Sequence, residues 1–321
     1  MVSFGNSSAN VGAGHSGLEP LIAVEDLSKR YGHKIAVTGV TLTLRAGEVC
    51  GFVGANGGGK TTTLRMLAGI LRPERGRGRV LGCDLLGDAA RIRVQVGYMA
   101  QRLSLYAELS VLENLRFRAE VYELENPRAA AWAAVDEFSL GPWARRPAGS
   151  LSGGWARRLQ LAAALIHSPR LVLLDEPTAG LDAAARREVW RRLDILAAAG
   201  AGVVICTHDL AEAQRCPRAV YFSDGCVIAA GAPNEIAERS PAAAFLISGT
   251  EARRLACDVA ATAGVIACDP EGQNLRVVAD PQEEQRLRCL AASHGASITR
   301  VDLRLEDAML AWSMPQDGHC K

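Results

Sequence analysis

One stretch constrains the fold more than any other: Gly54-Ala55-Asn56-Gly57-Gly58-Gly59-Lys60-Thr61, set between the apolar run Glu48–Val53 and a helical pattern over Lys60–Leu71. A strand that stops at glycine and a helix that starts at lysine leave a loop whose backbone can curl, with successive N–H groups pointing inward. At the amino terminus of a helix such a nest holds phosphate. Gly54, Ala55, Asn56, Gly57, Gly58 and Gly59 are expected to form it, with Lys60 bringing a full charge to the β- and γ-phosphates. Thr61 is expected to ligate Mg2+ through its hydroxyl, and Thr62 to complete the nucleotide-binding set. Taken alone, the loop implies a nucleoside triphosphate and no particular use for it.

Around the loop, apolar strands alternate with helical patterns. Leu21–Leu27, Val40–Leu44, Arg93–Met99, Arg170–Leu174 and Gly202–Cys206 read as strands. Thr178–Ala199 carries Val189, Leu193 and Leu196 at helical spacing, and residues 102–168 are helical and more polar. The expectation is an α/β domain over residues 21–240, with a mixed, mostly parallel sheet and a helical insertion at about 102–168. Beyond residue 240 the pattern changes to strand Ala244–Ser248, helix Glu251–Ala263, strands Val265–Cys268 and Leu275–Ala279, helix Pro281–Ser293 and strand Ser297–Leu303. That βαββαβ order predicts a small α+β, ferredoxin-like domain over residues 241–321. Residues 1–20, rich in Gly, Ser and Ala, are expected to be a disordered tail.

Charge and hydropathy narrow the function. The 36 basic and 35 acidic side chains give no global pull toward nucleic acid or anionic lipid. The pairs Arg145–Arg146, Arg157–Arg158, Arg186–Arg187 and Arg191–Arg192 read as solvated faces, so no nucleic-acid partner is expected. No apolar run reaches the ~18–20 residues that span a bilayer, so any membrane link is expected through a partner chain. The nine cysteines form no C-x-x-C pair and read as reduced thiols.

Further motifs stand at fixed places along the chain. Gln101 follows the strand Val96–Met99, and Leu151-Ser152-Gly153-Gly154 precedes an arginine-bearing helix. Leu171–Leu174 ends in the carboxylates Asp175 and Glu176, Pro177-Thr178-Ala179-Gly180-Leu181-Asp182 follows them, and His208 stands after another apolar strand. In order and spacing these resemble the cassette of ABC ATPases over about Leu21–Ile236. The resemblance implies a P-loop NTPase fold and an active ATPase using ATP and Mg2+. It implies that Asp175 holds Mg2+, that Glu176 is the general base, and that Gln101 touches Mg2+ or the attacking water. It further implies that His208 contacts the γ-phosphate, that Tyr31 stacks on adenine, and that Asp182 links two halves of a dimer. Ser152, Gly153 and Gly154 would cover ATP held by the phosphate loop of a second cassette, which the likeness implies is either a copy of this chain, in a homodimer, or a homologous partner. Ala55, Gly58, Ala100 and Trp155 depart from the residues common in that family, Trp155 standing where Gln is frequent.

Arg102–Tyr106 and Val111–Leu115 are similar to the helical insertion of drug- and polysaccharide-exporter ATPases, and Leu305-Glu306-Asp307 before a short helix resembles the accessory domain of antibiotic-resistance exporter ATPases. The resemblance implies the ATPase motor of an exporter, held at the cytoplasmic face of the cell membrane by a separate integral membrane permease. An importer ATPase shares every catalytic residue, and a soluble ABC ATPase acting on ribosomes or DNA is the third reading.

Overall fold

A computed structural model describes residues 19–249 and 252–313. The tail expected over residues 1–20 lies almost wholly outside the described residues.

The chain begins with two long antiparallel strands, β1 (Ile22–Tyr31) and β2 (Lys34–Leu44). β3 (Val49–Val53) is buried at every position and leads through the phosphate loop into α1 (Lys60–Leu67). Gly69, at φ 67, stops that helix short of Leu71. β4 (Arg75–Val80) and β5 (Cys83–Asp84) join the first two strands in a sheet ordered β2-β1-β4-β5.

The strand expected over Arg93–Met99 is only half present. Ala89–Gln95 is a helix, α2, and β6 covers Val96–Met99. A single buried apolar residue, Ile92, between charged neighbours fits one turn of helix as well as it fits a strand. The insertion follows as α3 (Val111–Val121), α4 (Pro127–Glu137) and α5 (Gly153–Leu165). Next come β7 (Leu171–Asp175), α6 (Ala183–Ala198), β8 (Gly202–Thr207) and α7 (Leu210–Arg215). α6 begins five residues later than expected, because Gly180 turns at φ 75 and Asp182 caps the helix through Ala184 N and Ala185 N.

A hairpin absent from the sequence reading, β9 (Arg218–Ser223) and β10 (Cys226–Gly231), completes a six-stranded sheet ordered β10-β9-β3-β8-β7-β6. Its neighbours β9, β3, β8, β7 and β6 pair parallel, and β10 runs antiparallel at one edge. The mixed, mostly parallel sheet is therefore present. Apolar clusters cover both its faces, one beneath α1 and the other beneath the insertion and α6.

After α8 (Pro233–Glu238), the strands β11 (Ala243–Ser248), β12 (Val265–Glu271), β13 (Asn274–Ala279) and β14 (Ser297–Val301) form an antiparallel sheet ordered β12-β13-β11-β14. α9 (Ala256–Ala260) and α10 (Glu284–Ser293) complete the βαββαβ order. Phe245, Val277 and Leu287 centre the core on one sheet face. The last helix among the described residues, α11 (Leu305–Ser313), returns to the first domain. Leu305, Met309 and Trp312 pack with Val53, Ala213 and Ile236, while Ala311 meets Val278 of the small sheet. Seven cysteines among the described residues are free thiols.

Candidate nucleotide-binding site

Because β3, β6, β7 and β8 are parallel, their carboxyl ends share one edge of the sheet and present their following loops together there. β3 delivers the phosphate loop. Gly54 has φ 144, and a Cβ there would lie 2.1 Å from the Phe222 carbonyl oxygen, so only glycine fits. The β9–β10 turn supports the loop: Gly225 N donates to Gly58 O at 3.2 Å, and Thr38 N donates to Gly225 O at 2.8 Å. Lys60 is 5% exposed and turns its ammonium back along the loop, donating to Gly54 O at 2.6 Å and Ala55 O at 2.9 Å. Burial holds its pKa below the usual lysine value.

β7 ends on Asp175, which is buried. Thr61 Oγ1 donates to Asp175 Oδ1 at 3.1 Å, while Asp175 Oδ2 has no hydrogen-bond partner among the described residues. Burial pushes this carboxyl above its usual range. A hydroxyl and an unsatisfied carboxylate oxygen beside a phosphate loop are hard donors of the kind Mg2+ takes, so these residues fit that ion. Glu176 follows at φ 54, a left-handed backbone uncommon outside glycine. Its N–H donates to Cys206 O at 2.9 Å, and its Oε1 lies 2.7 Å from His208 Nδ1. Gln101 enters from the loop after β6, and Tyr31, half exposed, stands at the end of β1. Together with the loop, Tyr31, Gln101 and Glu176 line a cleft of about 460 Å³. It offers a phosphate cradle, a site for a divalent cation, an aromatic face and a carboxylate able to take a proton from water.

The sequence matches the ABC transporter family over residues 37–179. It is 39% identical over 225 residues to the Nod factor export ATP-binding protein I of Ralstonia nicotianae, covering 68% of this chain and 70% of that one. This chain belongs to the ABC transporter ATP-binding proteins. It is also 37% identical over 226 residues to the probable multidrug ABC transporter ATP-binding protein YbhF of Escherichia coli K12, covering 69% of this chain and 39% of that protein, so the match spans about two fifths of that relative's length. A dimeric ATP-binding cassette solved in a post-hydrolysis state with ADP and Pi superposes with a TM-score of 0.62 at 25% identity, over 66% of this chain and 98% of that one.

Within this ABC cassette the sequence-predicted residues divide into two groups. Tyr31, Asn56, Gly57, Gly59, Lys60, Thr61, Thr62, Gln101 and Glu176 line the one cleft. Gly54, Ala55 and Gly58 shape its loop, and Asp175 and His208 join it through Thr61 and Glu176. Ser152, Gly153 and Gly154 are not part of its wall; they form the amino end of α5. A Cβ on Gly153 would meet nothing within 4 Å, and one on Gly154 only Leu181 Cδ2 at 3.6 Å. Neither glycine has a positive φ. The chain's own fold therefore does not require glycine at either position. Trp155 faces its own chain, its ring tilted 31° to that of Trp143 with centroids 3.7 Å apart and the Arg158 guanidinium 4.6 Å over it.

The sequence reading missed Arg157. Taken there as half of a solvated pair, it is 7% exposed and donates to Gln101 O and Glu176 O, each at 2.7 Å. The available signal was its position one turn beyond Gly153-Gly154, on a helix whose next residues are nearly all buried. Arg186 and Arg192 are likewise engaged, with Asp209 and Glu137 at 3.1 Å each.

Proposed function

We propose that the chain is the ATP-binding and ATP-hydrolysing motor subunit of an ABC exporter, working as a pair of cassettes beneath a separate membrane permease. The observation that carries the hydrolytic reading is the Glu176 carboxylate, held 2.7 Å from His208 in the wall of the cleft that contains Lys60 and Thr61. Lys60 exchanges its contacts with loop carbonyls for the β- and γ-phosphates of ATP. Thr61 Oγ1 and Asp175 Oδ2 would hold Mg2+, which when bound supplies positive charge beside those phosphates. Gln101 orients the attacking water at the mouth of the cleft. Glu176 accepts a proton from that water as its oxygen bonds to the γ-phosphorus and the bond to the bridging oxygen of ADP breaks. His208 steadies the carboxylate and the γ-phosphate, and Tyr31 stacks on the adenine.

The pairing of cassettes is supported by the two glycines at the amino end of α5. Free of any need within their own chain, they suit the close approach of something outside it, and a helix amino terminus suits phosphate. Ser152, Gly153 and Gly154 of one cassette then cap the ATP in the cleft of the other. No helix among the described residues is long and apolar enough to cross a membrane. Coupling to transport therefore falls to a permease, for which the exposed Leu103, Tyr106, Phe117 and Val121 of the insertion offer apolar contact. Export is the direction borne in the names of the multidrug and Nod-factor relatives. The test is Glu176→Gln in the purified full-length chain. ATP affinity should stay within a few-fold while turnover falls by roughly 10²–10⁴. Turnover at the parental rate would remove Glu176 as the base.

A further inference from the structure

Glu176 has to hold a conformation its backbone does not favour. A glutamate at φ 54 persists only where the surroundings fix it. Its N–H is tied to Cys206 O at 2.9 Å on the neighbouring strand β8. Its carbonyl oxygen is tied by Arg157 Nη2 at 2.7 Å, from a helix that belongs to neither strand. The other end of the same guanidinium, Nη1, donates to Gln101 O at 2.7 Å, with longer contacts to Ala100 O at 3.4 Å and Gln160 Oε1 at 3.2 Å.

Gln160, 2% exposed and one turn further along α5, secures the same loop by donating to Ala100 O at 3.0 Å and Arg102 O at 2.9 Å. Every hydrogen bond of Arg157 goes to a carbonyl or amide oxygen rather than to a carboxylate. Arg157 is buried with no carboxylate in hydrogen-bonding distance, Asp175 and Glu176 attracting it only from further off. Such an arrangement is a poor device for stability alone. Its planar fork suits a different task, the holding of two separate backbone segments at a fixed spacing. Those segments carry the proposed base, Glu176, and the water-orienting Gln101. The fork is mounted three residues beyond Gly154, on the helix whose amino end is the surface offered to a second cassette.

We propose that Arg157 is a positioning residue for ATP hydrolysis, holding the Glu176 backbone and the Gln101 loop in register with α5, so that the base is aimed while α5 is seated. The inference rests on the reading of Glu176 given above. It makes α5 a lever with its free end at the partner's nucleotide and its Arg157 at its own base. A cassette docking on Ser152–Gly154 thereby reaches the opposite catalytic carboxylate through one side chain.

Full-length Arg157→Met and Arg157→Gln are assayed beside the parent and Glu176→Gln, with steady-state turnover of Mg-ATP and titration of a fluorescent ATP analogue. The expected result is a fall in kcat of tenfold or more, with nucleotide affinity within threefold of the parent. The loss should also disappear in the Glu176→Gln background, because a residue that acts only through the carboxylate has nothing left to aim. If Arg157→Met does not fold, Arg157→Gln, which keeps an amide donor, carries the test. The proposal is overturned if kcat stays within threefold of the parent, if kcat and affinity fall together, or if the same loss persists in the Glu176→Gln background. Retained turnover in Glu176→Gln itself would instead strike down the reading of the base.

Discussion

Replacing Asp307 by alanine should loosen the small carboxyl-terminal domain from the cassette, and the structure gives the size of the effect. Asp307 sits in the first turn of α11, 5% exposed, with Oδ2 2.5 Å from Arg276 Nη2 and Arg276 Nε at 3.2–3.3 Å from both of its oxygens. The same carboxylate accepts from Arg304 N at 2.7 Å, capping the helix. Arg276 also donates to Asp302 O at 2.7 Å, so one arginine on β13 fixes both the approach to α11 and its first turn. Asp307→Ala removes the close partner of the buried Arg276 and leaves it only Glu271, at 3.8 Å, and breaking such a buried pair typically costs about 3–5 kcal/mol. With a urea slope of about 2 kcal/mol per M, that moves the unfolding midpoint down by roughly 2 M. Tryptophan fluorescence follows the transition, since Trp312 of α11 stacks on Tyr221 of the cassette with ring centroids 5.6 Å apart. Arg276→Met combined with Asp307→Leu removes both charges and should recover the midpoint to within about 1 kcal/mol, the remainder being the lost cap. A loss below about 1 kcal/mol for Asp307→Ala, or a double variant no better than the single one, would refute the clamp.

Two further outcomes follow from the geometry. Gly54→Ala must move either the phosphate loop or Phe222, and should weaken ATP binding tenfold or more; unaltered affinity in a nucleotide titration would contradict the contact. His167 stacks 3.7 Å from Tyr122, and burial pushes its pKa down from 6.5 to about 4, with Arg118 adding to the effect. Above pH 6.5 the ring is neutral in both states. As pH falls toward 4 only the unfolded chain takes up the proton, so stability drops across that window, by about 1–2 kcal/mol once partial exposure is allowed for. His167→Phe should flatten that acid limb in unfolding measured from pH 7 to 4.5; an unchanged limb would exclude His167 as its source.

The phosphate loop, the carboxylate pair and the histidine were legible because each rests on local chemistry: a strand end, a glycine turn, a helix start. The alternation of buried runs likewise marked the parallel strands. The support for these groups was harder to read. The β9–β10 hairpin carried its own signal in Asp224-Gly225, whose φ values of 47 and 82 are those of a tight hairpin turn, yet its hold on the phosphate loop depends on Gly58, far away in sequence. Arg157 looked like surface because an arginine pair on a helix usually is. Its burial is decided by carbonyls 56 and 19 residues away, which composition cannot reveal. The return of α11 to the cassette is of the same kind, with Trp312 meeting Tyr221 of β9, 91 residues earlier in the chain.

The sharing of nucleotide between two cassettes is tested most directly by sedimentation of the Glu176→Gln chain with and without Mg-ATP. It should shift from monomer to dimer when ATP is added, and a second change, Gly154→Asp, should hold it at the monomer while its cleft still binds ATP. A chain that stays monomeric with ATP bound, or a Gly154→Asp chain that pairs as readily as its parent, would contradict a site completed by the partner's α5.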